Sequence, residues 1–302
     1  HEHRRQRQMC IRDRNYPIMG SVINILLEPF LYTYMQQAFA IVLIISIPTS
    51  LLSCFLVLKG WSLMGDAIAH SVLPGVVIAY IVGIPIAIGA FIAAMISAVA
   101  TGFFNDNTRL REDTIMGIVF SSMFALGIVM MTKIESGVHL DHILFGDVLG
   151  VSWQDILESA IITILVSLFI FYKGKDLMLY VFDSQHAKAI GLNITFYQYS
   201  ILILLSLTIV GALKAVGMIL VIALLITPGA IANLVTDSFK RMLLVSLFVS
   251  SITSILGVYI SFYINSAPAP TIIVLLSLIF IMVFFYQNRQ IKFNESSLKK
   301  PT

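Results

Sequence analysis

Asp66 and His70 stand four residues apart in LMGDAIAHSVLPGVVIAYIV (63–82), a stretch that is otherwise apolar. On a helix, that spacing puts both side chains on one face, about 6 Å apart along the axis. A carboxylate beside an imidazole suits a divalent first-row cation such as manganese, iron or zinc. Magnesium and calcium prefer all-oxygen shells. An ionisable group within an apolar membrane-length run costs on the order of 3 kcal/mol unless something offsets it, so its presence marks a functional candidate. The competing reading is a hydrogen-bonded pair that only fixes the packing of neighbouring helices. Just beyond His70, Pro74 removes a backbone donor and Gly75 loosens the turn, which would open carbonyls toward a cavity.

Three other segments carry polar residues in patterns worth weighing. In LYVFDSQHAKAIGLNI (179–194), Asp183 reads as an acidic helix start, Ala187 and Ala189 as small docking residues, and Gly191 as a C-terminal cap. This is a short amphipathic helix outside the membrane, or else an ordinary solvated connector. In GVHLDHILFGDVLG (137–150), His139, Asp141 and His142 form a group at the outer surface, with Asp147 nearby. They could admit a metal ion to the interior, although a polar loop capping the next helix is the stronger reading. In RLREDT (109–114), Glu112 and Asp113 complement the dipole of a following helix.

The elements that must position these residues are membrane spans. Of 302 residues, 58% are hydrophobic and 12% charged, with a mean hydropathy of +0.94. Soluble chains carry about 25% charged residues, so this is a polytopic membrane protein without room for a sizeable soluble domain. A net charge of +3 gives no footprint for nucleic acid. Apolar runs fall at about 36–58, 63–82, 85–104, 114–132, 154–172, 196–213, 216–235, 242–264 and 270–287. Two pairs are separated by only a few residues, so the count is eight or nine crossings. Residues 24–35, with Glu28 and Pro29, read as an amphipathic lead-in rather than a span. Breaks are expected at Gly83-Ile84-Pro85, Gly191-Leu192-Asn193 and residues 266–270.

Positive charge chooses the sides. Arg109, Arg111, Lys173, Lys175, Lys188, Lys240, Arg241, Arg289 and Lys292 mark the cytoplasmic face, which puts the C-terminus inside. Before residue 85 the assignment stays open, because nine crossings would place Met19 outside. Residues 1–18, dense in Arg and His, are expected to be a non-native or disordered leader. Residues 19–290 then form the transmembrane domain and 291–302 a cytoplasmic tail. Cys10 and Cys54 lie in unrelated settings, so no disulfide framework is expected. The chain contains no G-x-x-x-x-G-K-[ST], G-x-S-x-G or H-E-x-x-H motif. If ATP drives it, another chain supplies the ATPase.

Taken together, LVLKGWSLMGDAIAHSVLPGVVIAY (56–80), TRLREDTIMGIVFSSMFALGIV (108–129), LFGDVLGVS (144–152), FDSQHAKAIGL (182–192) and VGMILVIALLITPGAIANL (216–234) resemble the manganese/zinc/iron permease family of bacterial ABC importers. The likeness runs in order from about residue 25 to 287. It implies an all-α, polytopic helical permease in the bacterial cytoplasmic (inner) membrane. The permease would work as a dimer with a second permease chain, a cytoplasmic ABC ATPase and an extracytoplasmic solute-binding protein. It also implies that Asp66 and His70 are the metal-coordinating pair of the permeation path. The helix at 182–192, with Asp183, Ala187 and Gly191, would be the coupling helix. The cargo would be Mn2+, Fe2+ or Zn2+, with no permanently bound cofactor and no catalytic residues. An ion-coupled secondary metal transporter is the alternative. An intramembrane metalloenzyme is disfavoured, because no third ligand or general base lies near the pair.

Overall fold

The computed structural model of the chain describes residues 27–133 and 146–298. The 1–18 leader with Cys10, and the candidate outer residues His139, Asp141 and His142, lie outside them. Among the described residues there is helix and no strand. A short helical turn over 27–31 bends at Tyr32 and leads into α1 (Thr33–Lys59). There follow α2 (Met64–Ser71), α3 (Leu73–Val82), α4 (Ile86–Asn107), α5 (Glu112–Lys133), α6 (Trp153–Phe182) and α7 (Ser184–Ala189). The chain continues through α8 (Ile194–Val235), α9 (Phe239–Ile264) and α10 (Pro268–Leu298).

The breaks fall at the expected places, each with a local cause. Gly83 takes a left-handed conformation at the end of α3, and Pro85 caps the start of α4. Asn265 does the same after α9, three residues before Pro268 and α10. At the start of α6, Ser152 and Asp155 form a reciprocal capping box, with the Asp155 amide donating to Ser152 Oγ at 3.3 Å.

Among the described residues eight stretches are long and apolar enough to cross a membrane, α2 and α3 together making one of them. One of the eight, α8, is 42 residues long and crosses twice. Its backbone leaves helical geometry at Gly217, with φ 74° and ψ 165°, a region essentially reserved for glycine. The side-chain bonds on either side show that the chain turns back there. On the first arm, Tyr197 donates to Asp176 of α6 at 2.8 Å, and the Gly211 carbonyl accepts from Ser159 of α6 at 3.0 Å. Thus the arm runs antiparallel to α6. Helix α1 runs parallel to α6, since Thr163 donates to the Ile44 carbonyl and Lys59 sits over the Tyr180 ring. On the second arm, Ile226 and Gly229 bond to Ser53 of α1, back toward the Tyr197 end. The described residues therefore make nine crossings, and Thr33 lies at the end opposite Lys59.

That end is the outer one. The residues Arg109, Arg111, Lys173, Lys175, Lys188, Lys240, Arg241 and Arg289 gather at the other end, as the positive-inside rule requires. Lys214 is near the outer end and pairs with Glu158 at 3.8 Å. The α8 hairpin is the middle of the bundle. Met218, Leu220, Val221, Leu224 and Leu225 of its second arm are all buried, as a helix that is apolar all round should be.

Between helices, small and hydroxylated residues do the packing that apolar bulk cannot do in lipid. Along α1 and α9, Ser246 donates to the Ser50 carbonyl at 2.8 Å and Ser250 to the Ser46 carbonyl at 3.4 Å. Between α3 and α4, Gly75 and Gly89 lie so close that a Cβ on either would strike the other's backbone. Here the structure differs from the expectation that Gly75 loosens a turn. Gly75 is buried in a close helix crossing, and Pro74 falls in the first turn of α3, where a missing N–H costs nothing.

Candidate metal-binding site

Asp66 lies in the first turn of α2 and His70 in its last. Their side chains meet, with His70 Nε2 3.3 Å from Asp66 Oδ1. The i, i+4 spacing therefore delivers the pairing expected from sequence. Helix α2 is held between neighbours by Leu225 of α8, which packs on Gly65, and by α5 on the other flank. His70 packs against Phe120 and Phe124, with ring centroids at 5.1 and 5.2 Å. These two phenylalanines lie near the middle of α5, which sets the pair at mid-membrane depth.

The pair is not sealed inside its own chain. The side chains of Asp66 and His70 remain 36% and 21% exposed. Beside them, α5 presents an exposed face with Gly117, Ser121 and Ala125, and a Cβ on Gly117 would meet open space. Among the described residues no group of three or more His, Cys, Asp and Glu converges anywhere. One chain thus presents two groups able to act as ligands on an accessible face, next to a small-residue surface on which another helix can pack closely.

Asp183, Ala187 and Gly191 do come together at α7, though in other roles than surface docking. Asp183 is the N-cap: its Oδ1 accepts from the His186 amide at 2.8 Å. Gly191 is left-handed at φ 88°, and the Leu192 amide reaches the Ala187 carbonyl at 3.0 Å, completing a Schellman stop. Ala187 itself is fully buried against its own chain. The expectation that it presents a docking surface is corrected: its small size lets α7 sit tightly on α6 and α8. The outward face carries Gln185, His186, Lys188 and Ile190 instead. At 109–114, the Arg111 carbonyl accepts from Thr114 and α5 begins at Glu112, which bears out the helix start.

Sequence reasoning passed over Phe120 and Phe124. Their i, i+4 spacing on a span was legible, but nothing in one sequence says which helix lies opposite His70.

The fold and the site define a class: a multi-pass helical membrane protein with a carboxylate–imidazole pair at mid-depth. The chain belongs to the ABC 3 transport family, whose profile matches residues 31–287. It is 47% identical over 270 residues to the chelated iron transport system membrane protein YfeD of Yersinia pestis, covering 89% of this chain and 91% of that one. It is 46% identical over 257 residues to the manganese transport system membrane protein MntB of a Synechocystis strain, covering 85% and 84%. Among solved structures it is similar to PsaBC from Streptococcus pneumoniae in complex with Fab. The TM-score is 0.81 and the identity 34%, over 90% of this chain and 99% of that one.

Proposed function

We propose that this chain is the membrane permease of an ATP-driven importer for a divalent transition metal: manganese, iron or zinc. The observation that carries the reading is the partly exposed Asp66–His70 pair at mid-membrane depth. A carboxylate there is costly against lipid, so the face must meet protein or an aqueous path. A second permease chain across that face, identical or a sister chain, brings a second Asp–His pair and gives four ligands. That number suits a transition metal, with water or backbone oxygen free to adjust the shell. Relatives whose names specify manganese and chelated iron transport support the cargo class.

In this reading residues 19–290 form the permease unit in the bacterial cytoplasmic (inner) membrane, and 291–302 its cytoplasmic tail. An extracytoplasmic binding protein delivers the ion to the outer end of the dimer. A cytoplasmic ABC ATPase contacts the outward face of α7, and its closure tilts α7 together with the ends of α6 and α8. Phe182 at the end of α6 packs on Phe239 of α9, and Phe239 on Phe55 of α1, so movement at α7 reaches the helix that leads into α2. The site then opens alternately to the two sides, and the metal is cargo throughout.

The test is uptake of radioactive manganese or zinc into proteoliposomes holding this chain with its ATPase. Uptake that requires ATP hydrolysis and saturates at low metal supports the reading. Uptake of equal rate without the ATPase, driven by a proton or sodium gradient, would replace it with ion-coupled secondary transport.

A further inference from the structure

The imidazole of His70 is held by two aromatic rings and, on its far side, by nothing polar. Its Nε2 faces Asp66, whereas Nδ1 is buried and has no hydrogen-bond partner among the described residues. Phe124 meets the imidazole at an interplanar angle of 85° and Phe120 at 57°, and the two phenyl rings lie 6.0 Å apart. Metal-bound histidines ordinarily donate from the second nitrogen to a carboxylate or carbonyl, which fixes the tautomer and makes the ligand more basic. Here packing fixes the ring and no acceptor meets Nδ1 among the described residues.

Resting on the reading of Asp66 and His70 as the transport site, we propose that Phe120 and Phe124 are positioning residues. They hold His70 so that Nε2 is its only coordinating atom, and they keep Nδ1 without an acceptor so that the cation is bound weakly enough to leave. When a cation occupies Nε2, the ring's proton resides on Nδ1 and calls for an acceptor. The phenyl rings offer at most a weak one. A transport site has to bind well enough to load and poorly enough to release. Outer partners of a ligating histidine are worth about 10–100-fold in metal affinity. Their omission is thus a direct way to set a loose site while keeping its geometry.

The experiment is Mn2+ binding to the detergent-solubilised, assembled full-length protein. Electron paramagnetic resonance reads both the affinity and the coupling of Mn2+ to an imidazole nitrogen. The double variant Phe120→Leu, Phe124→Leu keeps apolar bulk but frees the ring. It should weaken Mn2+ about tenfold and abolish or broaden the nitrogen coupling, and restoring a ring with Phe124→Tyr in that background should recover the coupling. Phe124→Gln offers Nδ1 a carbonyl oxygen and should tighten Mn2+ by about 10–100-fold while slowing uptake. Unchanged affinity and coupling in the leucine variant, or no tightening in the glutamine variant, overturns the proposal. His70→Ala separates the two layers. If it leaves the nitrogen coupling intact, the site reading falls and the proposal with it. If it abolishes the coupling while the phenylalanine variants do not change it, only the positioning role falls.

Discussion

The amide of Gly229 donates to Ser53 Oγ at 2.8 Å, and the same hydroxyl donates to the Ile226 carbonyl at 3.2 Å. Pro228 lies between these two α8 residues and cannot donate, so the helix ladder is interrupted there. Ser53 of α1 closes the gap from outside. The interruption adjoins Leu225, which packs on Gly65 beside Asp66, so the break is anchored next to the helix that carries the Asp66–His70 pair.

Ser53→Ala leaves the buried Gly229 amide without its acceptor. The expected loss is about 1–2 kcal/mol, the lower end being usual between membrane helices. The thermal midpoint of the purified protein in detergent should fall accordingly. An unchanged midpoint would remove the bracing role of this hydroxyl.

Gly217→Ala places a Cβ on a backbone at φ 74°, ψ 165°. That region costs a non-glycine residue about 1–3 kcal/mol. Gly146 packs directly on this turn, so a shift there meets a backbone wall. Lower yield and a lower midpoint are expected. Wild-type stability would mean that α8 does not fold back in this geometry.

Nine crossings put the start of α1 outside and α7 inside. In a background with Cys10 and Cys54 replaced by serine, Tyr34→Cys should react with an impermeant maleimide added to intact cells. Ala189→Cys should react only after the membrane is opened. The reverse pattern would invert the whole assignment.

Asp66→Asn removes a charge with little change in shape, and His70→Ala removes the imidazole. Each should lower manganese or zinc uptake per assembled complex by more than about tenfold, since in the proposed dimer each chain would lose one ligand. The histidine variant should harm transition metals more than hard cations. Near-normal uptake by the assembled double variant would move the metal path elsewhere, first to His139, Asp141 and His142.

Ile190 is exposed on the outward face of α7. Ile190→Glu should reduce co-purification of the ATPase while leaving the permease folded. Asp183→Ala should instead weaken α7 itself by about 1 kcal/mol through loss of its cap. Full ATPase retention by the Ile190 variant would take this face out of the contact.

Much of this protein is local, and what is local was legible. Apolar length sets a span, Gly and Pro punctuate, Asp183 and Gly191 cap α7, and four residues of helix bring Asp66 to His70. Each depends on neighbours within a turn or two of chain, where backbone geometry leaves few choices. What lies between distant segments was not legible. Two apolar runs separated only by Lys214 and Ala215 can continue or reverse, and only the glycine-specific backbone at 217 and the bonds to Ser53 fix the reversal. Ala187 and Gly75 are small, but a small residue serves a partner's surface or its own chain equally well, and only the packed structure assigns them inward. Phe120 and Phe124 are ordinary span residues until α5 is laid against α2. The sequence determined which chemistry is present and on which helix face it stands. Tertiary packing decided what that face meets, because side-chain contacts between helices depend on crossing geometry that no single helix encodes.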